Sequence, residues 1–287
     1  MKQALLLLLG TCLAFGAAGP FEFRDLNETS IQLLEAGKPV YVYNHGMTLK
    51  PGMKEDRRRA CYLHPVWTPD GTVVTDDFPV DHPHHRGIFW AWPHVKIGNQ
   101  DLDLWGIQGI HQKFVRWLEK KTAPDQARLG VENAWYAGDR KVVKETVLVV
   151  AHRAEGGRRT LDFTLDFEAL DQPVSLTGES ASKKGYGGFN VRFAPREHTV
   201  LTTGGGKEAG DSNLVPHPWA ELGADYGGRH AAVRVEIEPG NPGFPNGWCL
   251  RHYGYLGVNF PGLATYTLER GKPLRLRYHV IVSGATN

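Results

Sequence analysis

The sequence predicts an all-β chain, a large antiparallel β-sandwich, and three observations carry that prediction. Over 158–167, Leu161, Phe163, Leu165 and Phe167 alternate with Thr160, Asp162, Thr164 and Asp166. A period of two gives a strand with one buried and one wet face. The same alternation closes the chain, where Leu274, Leu276, Tyr278 and Val280 interleave with Arg275, Arg277 and His279. Finally, no segment shows a long helical period, and no fixed-period repeat or Ser/Pro tract divides the chain. Many antiparallel strands at this length fit a two-sheet sandwich, with a barrel as the alternative.

Taken in order, the chain opens on MKQALLLLLGTCLAFGAAGP. Lys2, the apolar run 4–9 and Gly16-Ala17-Ala18 read as a secretory signal peptide over 1–18. The expected mature part, 19–287, is then a single β-sandwich domain, secreted or periplasmic. Period-two patterning predicts paired strands at 30–34 and 39–43 around Gly37-Lys38. A basic loop (50–59), an apolar run (60–67) and the turn Pro69-Asp70-Gly71 follow. The segment 110–119 fits strand or helix, whereas 128–136, 141–152 and 158–167 read as strands, the last two joined by a hairpin at Gly156-Gly157. Further strands are expected at 187–193, 198–203, 233–237, 263–268 and over the closing alternation.

The formal net charge is +2 with no long basic run, which argues against a nucleic-acid partner, since phosphate binding needs a concentrated basic face. No stretch beyond the leader is apolar enough to span a bilayer as a helix, so no integral membrane association is expected. Cys61 and Cys249 could pair in an oxidising compartment or remain as buried thiols.

Chemistry concentrates in TDDFPVDHPHHRGIFWAW (75–92), which holds Asp76, Asp77, Asp81, His82, His84, His85 and Arg86 between two prolines and an aromatic strand. Proline fixes φ and removes a donor, so this is a stiff loop rather than a central strand. If extended, it would point His82 and His84 one way and His85 the other. His82, His84 and His85, with Asp77 or Asp81 orienting a ring, are the candidate acid–base residues. His82, His84 and Asp81 could alternatively hold a divalent metal, although no specific ligand spacing such as H-E-x-x-H occurs. Arg86, Trp90 and Trp92 are candidate substrate holders, Arg86 also fitting a plain ion pair with a loop aspartate.

Two further clusters are candidates. KKGYGGFNVRF (183–193) reads as a bulged strand carrying Tyr186, Asn190 and Arg192 toward a ligand, and it lacks the strand–turn–helix context of a nucleotide loop. NPGFPNGWCLRHYGYLGVNFP (241–261) reads as a stiff loop carrying Arg251, His252 and Tyr253. The absence of G-x-S-x-G argues against a serine hydrolase, and no nucleotide cofactor is expected.

Segments 62–92, 183–193, 241–254 and GKPLRLRYHVIV (271–282) together resemble a bacterial family of unknown function labelled PmoA. That label evokes a methane-oxidising membrane subunit, which a chain without spanning helices contradicts. The organisation is similar, more loosely, to sugar enzymes of the galactose-mutarotase type, which implies a large β-sandwich with histidines and a carboxylate over an open sugar cleft. No residue here aligns with a mutarotase catalytic glutamate. The expectation is a carbohydrate-active enzyme binding a small sugar or oligosaccharide by His/Asp acid–base chemistry. The alternatives are a non-catalytic glycan-binding protein and a metal-dependent oxidase or hydrolase.

Overall fold

The computed structural model describes residues 19–284, and the expected signal peptide (1–18) lies outside them. Among the described residues there is no α-helix, only strands and one short 3-10 turn at Glu55–Arg57. Among the described residues no helix is long and apolar enough to cross a membrane.

Two nine-stranded antiparallel sheets face each other. The first runs in the order Phe21–Asn27, Ser30–Glu35, Lys38–Asn44, Tyr62–Val66, Ile88–Ala91, Gly188–Arg192, Tyr255–Asn259, Gly247–Arg251, Ser212–Pro216. The second runs Gly206–Lys207, Glu197–Thr203, Trp219–Tyr226, Arg229–Ile237, Leu274–Ser283, Arg158–Ala169, Arg140–His152, Gln126–Ala137, Ile110–Thr122. A four-stranded sheet (Thr265–Leu268, Val174–Thr177, His94–Ile97, Gln100–Leu102) completes the architecture. The sheets run edge to edge rather than closing, so the barrel alternative does not hold.

The alternation that predicted Arg158–Ala169 is realised in its pairing, Phe163 opposite Tyr278 and Leu165 opposite Leu276. These side chains fill the space between the sheets. Phe189 of the first sheet stacks on Tyr278 of the second at 4.4 Å and meets Phe163 edge-on at 5.1 Å. The ambiguous segment at 110 is strand throughout, paired with Gln126–Ala137.

The segment expected as a stiff loop over 241–261 is corrected. It contains two strands, Gly247–Arg251 and Tyr255–Asn259, joined in a hairpin. Tyr255–Asn259 is buried at every position. Loops cover the outer face of the first sheet there, so both faces are dry and the run YLGVN shows no alternation.

Cross-strand partners share a face, and this sorts the central strands. Trp90 pairs with Phe189 and Ile88 with Val191, all facing the second sheet. The opposite face carries Phe89 and Asn190, then Arg192 opposite Tyr255 and Arg251 opposite Tyr255. Cys249 pairs with Gly257 on that same face. This outer face is the floor on which the histidine loop sits.

Candidate functional site

The loop begins with a turn, not an extended run. The His85 amide donates to His82 O at 2.9 Å, with Pro83 at the position where a fixed φ favours a turn. That closure corrects the expected orientation. His82 and His85, at the two ends of the turn, stack face to face at 4.7 Å and 9°, while His84 stands edge-on to both.

The stack continues in both directions. Tyr253 lies parallel to His82 at 5.1 Å, and Tyr255 lies against His85 at 5.2 Å. The four rings form a column from solvent, where Tyr253 is 39% exposed, to the sheet floor, where Tyr255 is 1% exposed. Tyr255 reaches sideways to donate its hydroxyl to Asn190 Oδ1 at 2.5 Å. Gly257 permits this: a Cβ there would collide with the Tyr255 ring.

Beside the column is a cleft of about 220 Å³ lined by the three histidines, Trp105, Lys184, Tyr186, Cys249, Arg251, Tyr253 and Tyr255. All three clusters singled out in the sequence therefore meet at one place. Trp105, Lys184, Cys249 and Tyr255 were not among the candidates. Lys184, Cys249 and Tyr255 lie inside the quoted segments and were passed over. Trp105 comes from a separate segment, and its only signal was an aromatic beside Gly106.

The fates of the remaining candidates differ. Asp81 Oδ2 lies 3.0 Å from His82 Nδ1, and Arg192 donates to the same carboxylate at 2.7 and 3.0 Å. Arg192 also covers the Tyr253 ring at 4.9 Å, so it positions the column rather than lining the cleft. Asn190 is wholly buried and likewise supports, through Tyr255. His252 turns to Asp211, with Nδ1 3.1 Å from the carboxylate, and leaves the cleft.

Arg86, Trp90 and Trp92 are corrected from substrate holders to structural residues. Arg86 has no exposed surface; it donates to Pro83 O and His85 O at 2.9 and 2.6 Å, and its Nε lies 3.2 Å from Asp77. It fastens the histidine turn from behind. Trp90 and Trp92 are buried because their strand runs through the core, and Trp92 donates to Phe260 O at 2.6 Å between Trp135 and Phe167. Asp77 orients no histidine. It accepts from Tyr62 at 2.9 Å and lines a separate cavity of about 390 Å³ with Lys50, His64 and Asn44.

The electrostatics divide the histidines. Burial, with Arg59 and His82 adding to it, pulls the His84 imidazole down to about 3. Burial and the neighbouring His84 and His82 hold His85 well below the ordinary imidazole range. Both rings are neutral near pH 7, offering one donor and one acceptor nitrogen each. Burial draws the Asp81 carboxyl up, but the His82 hydrogen bond and the Arg192 charge outweigh it and leave it below the usual range. Burial lifts Asp77 to about 6 against the opposing pull of Arg86 and Tyr62.

The metal alternative for His82, His84 and Asp81 does not fit. Among the described residues no three His, Cys, Asp or Glu groups converge as ligands. Cys61 and Cys249 are both free and buried, and the suggested disulfide is absent.

Fold and site together describe an antiparallel β-sandwich protein with one histidine- and tyrosine-walled cleft on its outer sheet face. The chain belongs to a family of unknown function, DUF6807, whose model matches residues 30–286; the match does not carry the PmoA label. No curated protein matches. Among solved structures, the chain is similar to a galactose mutarotase related enzyme from Lactobacillus acidophilus, at 8% identity over 93% of this chain and 98% of that one, TM-score 0.44. It is also similar to an aldose epimerase homologue from C. elegans, at 7% identity over 94% and 99%, TM-score 0.36.

Proposed function

We propose that the protein is a carbohydrate-active enzyme that moves a proton on a sugar bound in this cleft, with His82 as the acid–base group and Asp81 orienting it. The Asp81–His82 pair at 3.0 Å, opening onto an aromatic-walled cleft, is the observation that carries the reading. A carboxylate beside Nδ1 favours the tautomer protonated there and leaves Nε2 as the base. His84 and His85 are too acidic as imidazolium ions to exchange protons near neutrality, because general acid–base catalysis works best with a pKa near the working pH. They serve as neutral hydrogen-bonding groups for hydroxyls.

The faces of the column's rings are occupied by one another, and Arg192 covers Tyr253. Tyr186, half-buried and tilted on Trp105 at 4.9 Å, is the ring left for the C–H face of a sugar. No carboxylate lines the cleft, whereas glycoside hydrolysis ordinarily needs two flanking the bond. Isomerisation, epimerisation or elimination therefore fits better than hydrolysis. The expected leader would make the enzyme secreted or periplasmic.

The test is incubation of neutral and acidic sugars with wild type, His82→Ala and Tyr186→Ala, products being followed by mass spectrometry. Wild type should form a product, His82→Ala should lose at least about a hundredfold in rate, and Tyr186→Ala should weaken binding. A sugar-dependent rise in Tm with no product from any sugar would instead identify a glycan-binding protein.

A further inference from the structure

We propose that the sugar taken by this cleft carries a carboxylate, a uronic or aldonic acid, and that Lys184 is the residue that selects it. The inference rests on the reading of the cleft as a sugar site and names the substrate class for it. Two cationic residues, Lys184 and Arg251, line the cleft, and no Asp or Glu does. Their circumstances differ. The Arg251 guanidinium donates to Ser212 O at 2.8 Å, Leu250 O at 2.9 Å and Asn213 Oδ1, and lies 4.0 Å from Asp211. Its donors and much of its charge are already committed.

Lys184 is the opposite case. Its backbone is anchored on both sides: the carbonyl accepts from Asn259 Nδ2 at 3.3 Å, and the amide donates to the Glu179 carboxylate at 3.4 Å. Its side chain is exposed at the cleft, and among the described residues its ammonium has neither a hydrogen-bond nor an ion-pair partner. Glu179, the nearby carboxylate, accepts from the Ser182 amide at 2.8 Å and the Ser182 hydroxyl rather than from the Lys184 ammonium, although its charge is felt at Tyr186. Asp81 is matched by Arg192 at 2.7 Å.

Behind the histidine wall lies a second cation without a carboxylate bonded to it. Arg59 is buried and donates only to the carbonyls of His84, Leu104 and Trp105. Its charge, offset in part by Asp103, adds to the positive field of Lys184 at the cleft. Such a field in a partly enclosed cleft attracts and orients an anion. One free ammonium matches one negative charge. A phosphate ester, near two charges at neutral pH, would want a second free cation, and Arg251 is already spent on backbone carbonyls. The carboxylate is therefore the fitting anion.

The experiment is titration calorimetry of wild type, Lys184→Ala, Lys184→Glu and Lys184→Arg with galacturonate, glucuronate, galactose, glucose and a glucose phosphate, at low and high salt. Expected are uronate binding that weakens with salt, falls about tenfold in Lys184→Ala as a charged hydrogen bond is lost, disappears in Lys184→Glu and survives in Lys184→Arg. Neutral sugars bound as tightly as uronates, the phosphate bound more tightly, or uronate binding unchanged in Lys184→Glu would each overturn the inference while leaving the sugar site standing. Binding of no sugar of either class would overturn the sugar reading itself and this inference with it.

Discussion

At residue 86 a guanidinium sits in the interior, 3.5 Å above the Phe78 ring, and holds two carbonyls of the histidine turn. Asp77, half-buried, is its counter-ion. Arg86→Ala should therefore cost about 3–5 kcal/mol of stability, the range for removing one partner of a buried pair, measured as a fall in the denaturation midpoint. An unaltered midpoint would show that the turn does not depend on this anchor. The residue was visible in the sequence, and its ion pair with a loop aspartate was one of two readings. Choosing between that and a substrate clamp required knowing which side of the turn faced the cleft. The same holds for the aspartates: Asp77 and Asp81 are close in sequence, yet one is half-buried beside Tyr62 and the other stands in solvent beside His82. Composition located the chemistry; the directions of the histidines came from the turn that closes around Pro83.

At the scale of elements, the strands with one wet face were legible and those with two dry faces only in part. Arg158–Ala169 alternates because its outer face meets water. Gly188–Arg192 and Tyr255–Asn259 are both buried at all positions; the first matches the bulged strand expected at 187–193, whereas Pro/Gly turns around the second argued for a loop. The second of these strands depends on a small residue at one point. Gly257→Ala should push a methyl into the Tyr255 ring, at a cost of about 1–3 kcal/mol for overpacking. It should also separate Tyr255 from Asn190 and tilt the ring column. The check is thermal unfolding together with sugar affinity. A variant with wild-type Tm and wild-type affinity would show that the column tolerates rearrangement.

At the scale of the whole molecule, the second sheet's outer face carries a charge network remote from the cleft. Protonated His279 donates Nδ1–H to Asp162 at 2.6 Å and Nε2–H to Glu238 at 3.0 Å, and Asp162 also meets His152 at 2.6 Å. The hydrogen bond with Asp162, aided by Glu238 and opposed by partial burial, lifts the His279 imidazole to about 9 from its ordinary 6.5. A raised folded-state pKa means that protonated His279 binds its partners better folded than unfolded. Its contribution is complete below about 6.5 and is lost as pH rises through about 9. Wild type should then lose more Tm between those values than His279→Gln does; parallel profiles would remove the network from the stability account. Part of the pair is solvent-facing, so the difference should be small and should shrink in salt.

The core also holds a charge-capable group that no pattern in the sequence announced. Glu145 is fully buried between the sheets and accepts from Gln112 at 2.9 Å, Asn133 at 2.8 Å and Trp135 at 2.6 Å. It sits in a strand whose neighbours alternate as expected, and only the pairing of three strands brings its donors together.

The central claim is proton transfer by His82 at a sugar carbon in the cleft. Its most direct test is incubation of wild type with uronic acids in heavy water, the recovered sugar being examined by NMR and mass spectrometry. We expect deuterium at a carbon of the substrate or product with wild type and none with His82→Ala or Asp81→Asn. Sugar recovered without deuterium from wild type, while calorimetry shows it bound in the cleft, would contradict proton transfer at carbon. Equal deuteration by His82→Ala would remove His82 from the chemistry.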